Sequence, residues 1–199
     1  MIAALKILFQ TRRTYNYLDE KYEGDLETNC SLIFGLLGGI SGLSAFFKEK
    51  IHFTEFPNSG FSIIFLIIAI AFGIVFGVLF GKYILTYILY GISRLLKGSS
   101  KLINNRLIAA YSLVPKFLLF PMILFMNIRG WDNIPYYVYW IFDLISVLVW
   151  FWILKIMVQG IMRFNKFNLL RSLINISPII LLGLLSIIIK IIRYANVPI

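Results

Sequence analysis

The stretch FSIIFLIIAIAFGIVFGVLFG, Phe61 to Gly81, runs for 21 residues without a charge and stops only at Lys82. About 20 apolar residues in a helix cross the ~30 Å hydrocarbon core of a bilayer, so this segment reads as a membrane span. Beyond it, Ile84, Leu85, Ile88, Leu89 and Ile92 keep the spacing of one helical face. The helix is therefore predicted to continue to about Leu96. At 1.5 Å per residue, ~36 residues reach ~54 Å, more than the core needs. Such a helix must tilt, bend or project into the interface.

The rest of the chain agrees. Of 199 residues, 60% are apolar and 14% charged, and the mean hydropathy is +0.86. Globular domains run near 45–50% apolar and about 25% charged, which excludes a soluble enzyme or a disordered tail. A single cysteine, Cys30, excludes an internal disulfide framework. Four further apolar stretches stand out, at about Ser31–Phe47, Leu107–Asn127, Val138–Gly160 and Leu173–Ile192. The expected fold is all-α, a polytopic transmembrane helical bundle of five spans. Residues 1–30 form an amphipathic, acidic N-terminal segment and residues 31–199 the membrane domain. The connectors are short, as in one bundle; Pro57, Asn58, Ser59 and Gly60 give a turn signal in the first.

The net charge of +10 would point to nucleic acid in a soluble protein. In a membrane protein it is first a topology label, because Lys and Arg concentrate on the cytoplasmic side. With the N-terminus inside, Lys6, Arg12, Arg13, Lys21, Arg94, Lys97, Lys101, Arg106, Arg163, Lys166 and Arg171 lie inside. Lys48, Lys50, Arg129, Lys190 and Arg193 lie outside. Eleven against five predicts a cytoplasmic N-terminus and an external C-terminus. Trp131, Tyr136, Tyr137, Tyr139 and Trp140 would form an interfacial aromatic belt on the outer side.

From Gly98 onward a family resemblance emerges. Gly98-Ser99-Ser100 leads into Ala109-Ala110-Tyr111-Ser112-Leu113-Val114-Pro115. Trp150-Phe151-Trp152 is followed by Gln159-Gly160, Phe167 and Ile176-Ser177-Pro178-Ile179-Ile180. This order resembles the Yip1-domain family of five-span membrane proteins over about residues 60–195. Tyr111, Pro115 and Pro178 carry the family-like motifs. The block Gly35-Leu36-Leu37-Gly38-Gly39-Ile40-Ser41-Gly42 departs from the Asp-Leu-Tyr-Gly-Pro-like block of eukaryotic members. The short loops look more like a bacterial-type member. For this chain the resemblance implies a multi-pass protein of the inner (plasma) membrane, without the eukaryotic role in vesicle traffic.

Small residues recur at helical spacing: Ala69, Gly73, Gly77 and Gly81 on the second span, Gly35 with Gly39 and Gly38 with Gly42 on the first. In lipid, close backbone approach replaces the hydrophobic drive. These stripes either pack the two helices together or form a docking groove. Lys116 and Asp143 lie inside the third and fourth spans, where a charge costs about 2.5–3.5 kcal/mol on insertion scales. They are expected to face each other as an ion pair that sets helix register, with a proton or ion relay or snorkelling without pairing as the alternatives. Lys82 and Lys155 are expected to snorkel toward the inner face.

Catalytic signals are poor. Gly39-Ile40-Ser41-Gly42 matches an intramembrane serine-protease motif, but the single histidine, His52, falls in an outer loop and cannot serve as its base. No metal cluster or phosphate loop is present, so no enzyme activity and no cofactor are expected. The N-terminal segment offers Ile2, Leu5, Leu8 and Phe9 beside basic residues for the anionic inner leaflet. Asp19, Glu20, Glu23, Asp25 and Glu27 then form an acidic patch suited to a partner. The expected function is a non-enzymatic membrane scaffold or accessory protein, in contact with lipid and a membrane-protein partner or a second copy, with no nucleic acid. A small-solute or ion transporter component and a lipid-handling protein are the alternatives.

Overall fold

The computed structural model describes residues 2–21, 23–49, 59–129 and 135–195. A backbone break at Gln10 (φ −123°, ψ 50°) separates two short helices, α1 (Ile2–Phe9) and α2 (Thr11–Asp19). On α2, Thr11, Thr14, Tyr15 and Leu18 are buried. That spacing of three and four puts them on one face, turned to the fourth span, while Arg12, Arg13, Asn16 and Tyr17 stay exposed.

The first span helix, α3 (Glu23–Glu49), is uninterrupted. It begins before Ser31, so Glu23, Asp25 and Glu27 sit in its first turns rather than in a separate segment. Its 27 residues reach ~40 Å, enough to cross a bilayer. The second span comprises α4 (Ser59–Leu79), a π-helical turn at Phe80–Leu85, and α5 (Thr86–Leu95). The hydroxyl of Thr86 donates to Gly81 O, five residues back, at 2.8 Å. This widened turn interrupts the α-helical ladder within the long second span.

The chain then leaves α5 through a Schellman motif. Lys97 adopts a left-handed conformation (φ 61°), its N–H donates to Arg94 O at 3.0 Å, and Gly98 N–H donates to Ser93 O at 2.7 Å. The third span is broken in the middle: α6 (Leu102–Ser112), a 3₁₀ turn at Val114–Leu119, then α7 (Phe120–Arg129). Pro115 lacks the N–H that an α-helix would need there, and the bonds Leu113 N–H to Ala110 O and Lys116 N–H to Leu113 O tighten the turn. The fourth span, α8 (Tyr136–Asn165), is uninterrupted and ends at Lys166, also left-handed. The fifth is a bent pair, α9 (Leu169–Asn175) and α10 (Ser177–Ala195), at 64° to each other. Pro178 falls in the first turn of α10, where a missing N–H costs nothing.

Four of these helical stretches are long and apolar enough to cross a membrane, or five if the bent pair is one span. Buried residues concentrate where α2, α3, α6 and α8 meet: Tyr15, Leu18, Leu107, Ile108, Ile156 and Ile161. The expected outer loop with His52, Pro57 and Asn58, and Trp131 of the aromatic belt, lie outside the described residues.

The N-terminal helices are part of this core. Ile7 and Tyr15 are fully buried, Trp152 donates from its indole N–H to Leu8 O at 3.3 Å, and the Phe9 and Trp152 rings meet edge to face. Trp152 lies 13 residues before the end of α8, ~20 Å along the helix. Of the apolar residues expected to meet the inner leaflet, Leu8 packs against this core, while Leu5 and Phe9 are exposed.

Candidate functional site

One end of the bundle gathers the Ser93–Lys101 connection, the start of α6, the end of α8 and the end of α9. Five polar side chains there make a continuous chain of hydrogen bonds. Asn175 Nδ2 donates to Ser93 Oγ at 2.8 Å, and Ser93 Oγ donates to Asn105 Oδ1 at 3.3 Å. Asn105 Nδ2 donates to Ser100 Oγ at 2.7 Å, and Ser100 Oγ donates to Asn165 Oδ1 at 2.7 Å. All five are buried. Side branches tie the chain to the backbone: Asn175 to Leu89 O, Asn105 to Lys101 O, and Ser100 N–H to Asn165 Oδ1. Gly98 lies against this cluster; a Cβ there would stand 2.9 Å from Asn165 Cγ. The Gly98-Ser99-Ser100 motif thus has a physical role: closeness at 98 and a relaying hydroxyl at 100.

Ion pairs ring the same end. The Glu27 carboxylate takes Lys82 at 2.6 Å and Arg106 at 2.9 Å, Glu23 takes Lys101 at 3.0 Å, and Asp19 takes Arg163 at 3.6 Å. Three members of the acidic patch are therefore engaged by the chain's own basic groups. Lys82, expected to snorkel, instead turns inward from the π-helical turn to Glu27. Glu20 and Asp25 are exposed. Tyr15 Oη, Arg106 Nε, Asn165 Nδ2 and Asn175 Oδ1 are buried without a hydrogen-bond partner among the described residues. Burial in apolar surroundings raises the Tyr15 phenol well above its ordinary value, with smaller pushes from Cys30 and Tyr111.

The expected Lys116–Asp143 pair does not form. Asp143 pairs with Lys190 of α10, whose antiparallel run beside α8 brings the lysine to its level. Lys116 sits on the 3₁₀ turn, is exposed, and lines a cleft of about 200 Å³ between the third, fourth and fifth spans. Lys190, Ser146, Ser186 and Trp150 also line this cleft.

The glycine stripes meet on one helix pair. A Cβ on Gly38 would lie 2.9 Å from Gly77 Cα, one on Gly73 would lie 3.0 Å from Gly42 Cα, and Gly42 also faces Ala69. Gly35 and Gly39 receive Ile74, and Gly81 is covered by the Phe34 ring. The small residues are thus consumed in α3–α4 packing. Ser41 donates to Leu37 O at 3.0 Å in the ordinary helical manner. Tyr111 is buried in α6 and Pro115 in the break that follows.

Sequence reasoning missed Ser93, Asn105, Asn165 and Asn175. Each lies near a helix end, where a lone Asn or Ser reads as loop polarity, and they come from four separate elements that no spacing rule connects.

An all-helical chain with several membrane-crossing helices, a locked polar end and paired charges defines a multi-pass membrane protein. The chain belongs to the Yip1 domain family, whose sequence model matches residues 5–189. No curated protein and no solved structure matched it. The family match includes α1 and α2, which agrees with their place in the core.

Proposed function

We propose that this protein is a non-enzymatic scaffold or accessory protein of the inner (plasma) membrane, with a cytoplasmic N-terminus and an external C-terminus. It acts through contacts between its helices and those of a partner or a second copy. The observation that carries the reading is the outer face of the second span. Phe72, Phe76 and Phe80 stack at 6.2 and 6.0 Å and are 70%, 57% and 43% exposed. The glycine-lined face of α4 is occupied by α3; the aromatic ladder flanks that face and is left open, together with Ile64, Ile68, Val75 and Leu79. The eleven-to-five distribution of basic residues supports the orientation.

In mild detergent or nanodiscs the protein is expected to migrate with a stoichiometric membrane partner or as a homo-oligomer. Combined Phe72→Ala, Phe76→Ala and Phe80→Ala changes are expected to release it as a monomer. A wild-type monomer whose mass the triple variant leaves unchanged would overturn the reading. Transport is the second reading, favoured by the broken third and fifth spans, since transporters build sites at interrupted helices. Uptake of a small ion into proteoliposomes, abolished by Lys116→Met, would replace the scaffold with it.

A further inference from the structure

The cleft between the third, fourth and fifth spans carries a charge that no described residue balances. Lys190 is matched by Asp143, but the Lys116 ammonium has no hydrogen-bond or ion-pair partner among the described residues. It lies ten residues before the end of the candidate span Leu102–Met126, ~15 Å at helical rise, deep within a ~30 Å core. An ammonium at that depth is strongly disfavoured and marks a site for a counter-charge.

We propose that this cleft binds the carboxylate of a fatty acid, with the acyl chain lying out along the lipid-facing walls. Charge decides the sign: two lysines against one aspartate leave one positive charge. Chemistry supplies donors: Lys116 Nζ and the hydroxyl of Ser186 are both without a partner among the described residues, and the Lys190 ammonium lines the same wall. Ser146 already donates to Phe142 O at 2.8 Å and can only accept. Size limits the head: a cleft of about 200 Å³ holds roughly seven waters' worth of volume, room for a carboxylate and a few carbons. A phospholipid head with its glycerol is larger than this volume allows. Leu119, Val149 and Ile153 give the walls an apolar surface for the chain. This site is independent of the scaffold role and of the aromatic face on α4.

Trp150 lines the cleft, so its fluorescence reports occupancy. The full-length protein in zwitterionic nanodiscs is titrated with 9,10-dibromostearate, and Trp150→Phe fixes which part of the signal is local. Saturable quenching is expected. Lys116→Met, which removes an unbalanced charge and so leaves the fold intact, is expected to raise the dissociation constant at least tenfold. Lys116→Arg is expected to bind within about threefold of wild type, showing that charge at 116 is what counts. Non-saturable quenching, equal quenching by the brominated alcohol, or unchanged affinity in Lys116→Met overturns the proposal. Phosphatidylglycerol or acetate that competes as strongly as unbrominated stearate overturns the choice of a fatty acid.

Discussion

The Glu27 carboxylate lies 2.6 Å from Lys82 Nζ. It joins the first turns of α3 to the π-helical turn of the second span, and the same oxygen takes Arg106 from α6. A residue that the sequence offers as a docking acid is thus the link between three spans. Replacing it leaves Arg106, whose side chain is 10% exposed, without a counter-charge. Breaking a fully buried pair costs about 3–5 kcal/mol and exposed pairs under about 1. Glu27 is 43% exposed, so Glu27→Gln is expected to cost about 1–3 kcal/mol. Thermal unfolding in detergent measures it, and Asp25→Asn, on the exposed side of α3, should leave the transition in place.

The relay from Asn175 to Asn165 is expected to behave as a unit. Asn165→Ala strips the acceptor from the Ser100 hydroxyl and N–H, leaving buried donors unmet at about 1–3 kcal/mol. Ser100→Ala breaks the same link, so the double variant should be far from additive. A double-mutant cycle in thermal stability checks this; additive losses would mean that the two side chains act separately.

The α3–α4 contact depends on missing side chains. Gly38→Val introduces a Cβ 2.9 Å from Gly77 Cα and must push the helices apart. Overpacking of this kind costs about 1–3 kcal/mol or more. Gly91 has nothing within 4 Å of its would-be Cβ, so Gly91→Ala is expected to be neutral or to stabilise by up to about 1 kcal/mol through helix propensity. The pair is read by folded yield and melting temperature.

Tyr15 is buried with an unpartnered hydroxyl and an elevated phenol. A group raised in the folded state contributes stability that is intact below its unfolded value, about 10, and lost as pH rises above it. Tyr15→Phe keeps the edge-to-face contact with Phe164 at 5.6 Å and removes the titration. It is expected to be as stable as wild type at pH 7 and to lose less stability between pH 10 and 12, as followed by melting curves across that range.

The spans were legible because Phe61–Gly81 runs 21 residues without a charge and its counterparts carry at most two charges each. The 3₁₀ break at Pro115 and the 64° bend just before Pro178 were not legible, because the sequence places both prolines inside continuous spans and a missing N–H shows where a helix can break, not that it does. Partner choice escaped as well. Lys116 and Asp143 lie at compatible depths, but depth does not fix rotation about a helix axis, and α10 brings Lys190 to Asp143 first. The burial of Ile7 and Tyr15 escaped in the same way, since nothing in two short helices says which side chains meet protein. The asparagine relay needed four elements to be positioned before it could be seen.

The scaffold reading is tested most directly by photo-crosslinking in native membranes. A benzoyl-phenylalanine at position 76, on the aromatic ladder, is compared with one at position 182, which is exposed on α10. The account predicts a discrete protein adduct of fixed mass from position 76 and only lipid adducts from position 182. Lipid adducts alone from both positions would contradict it.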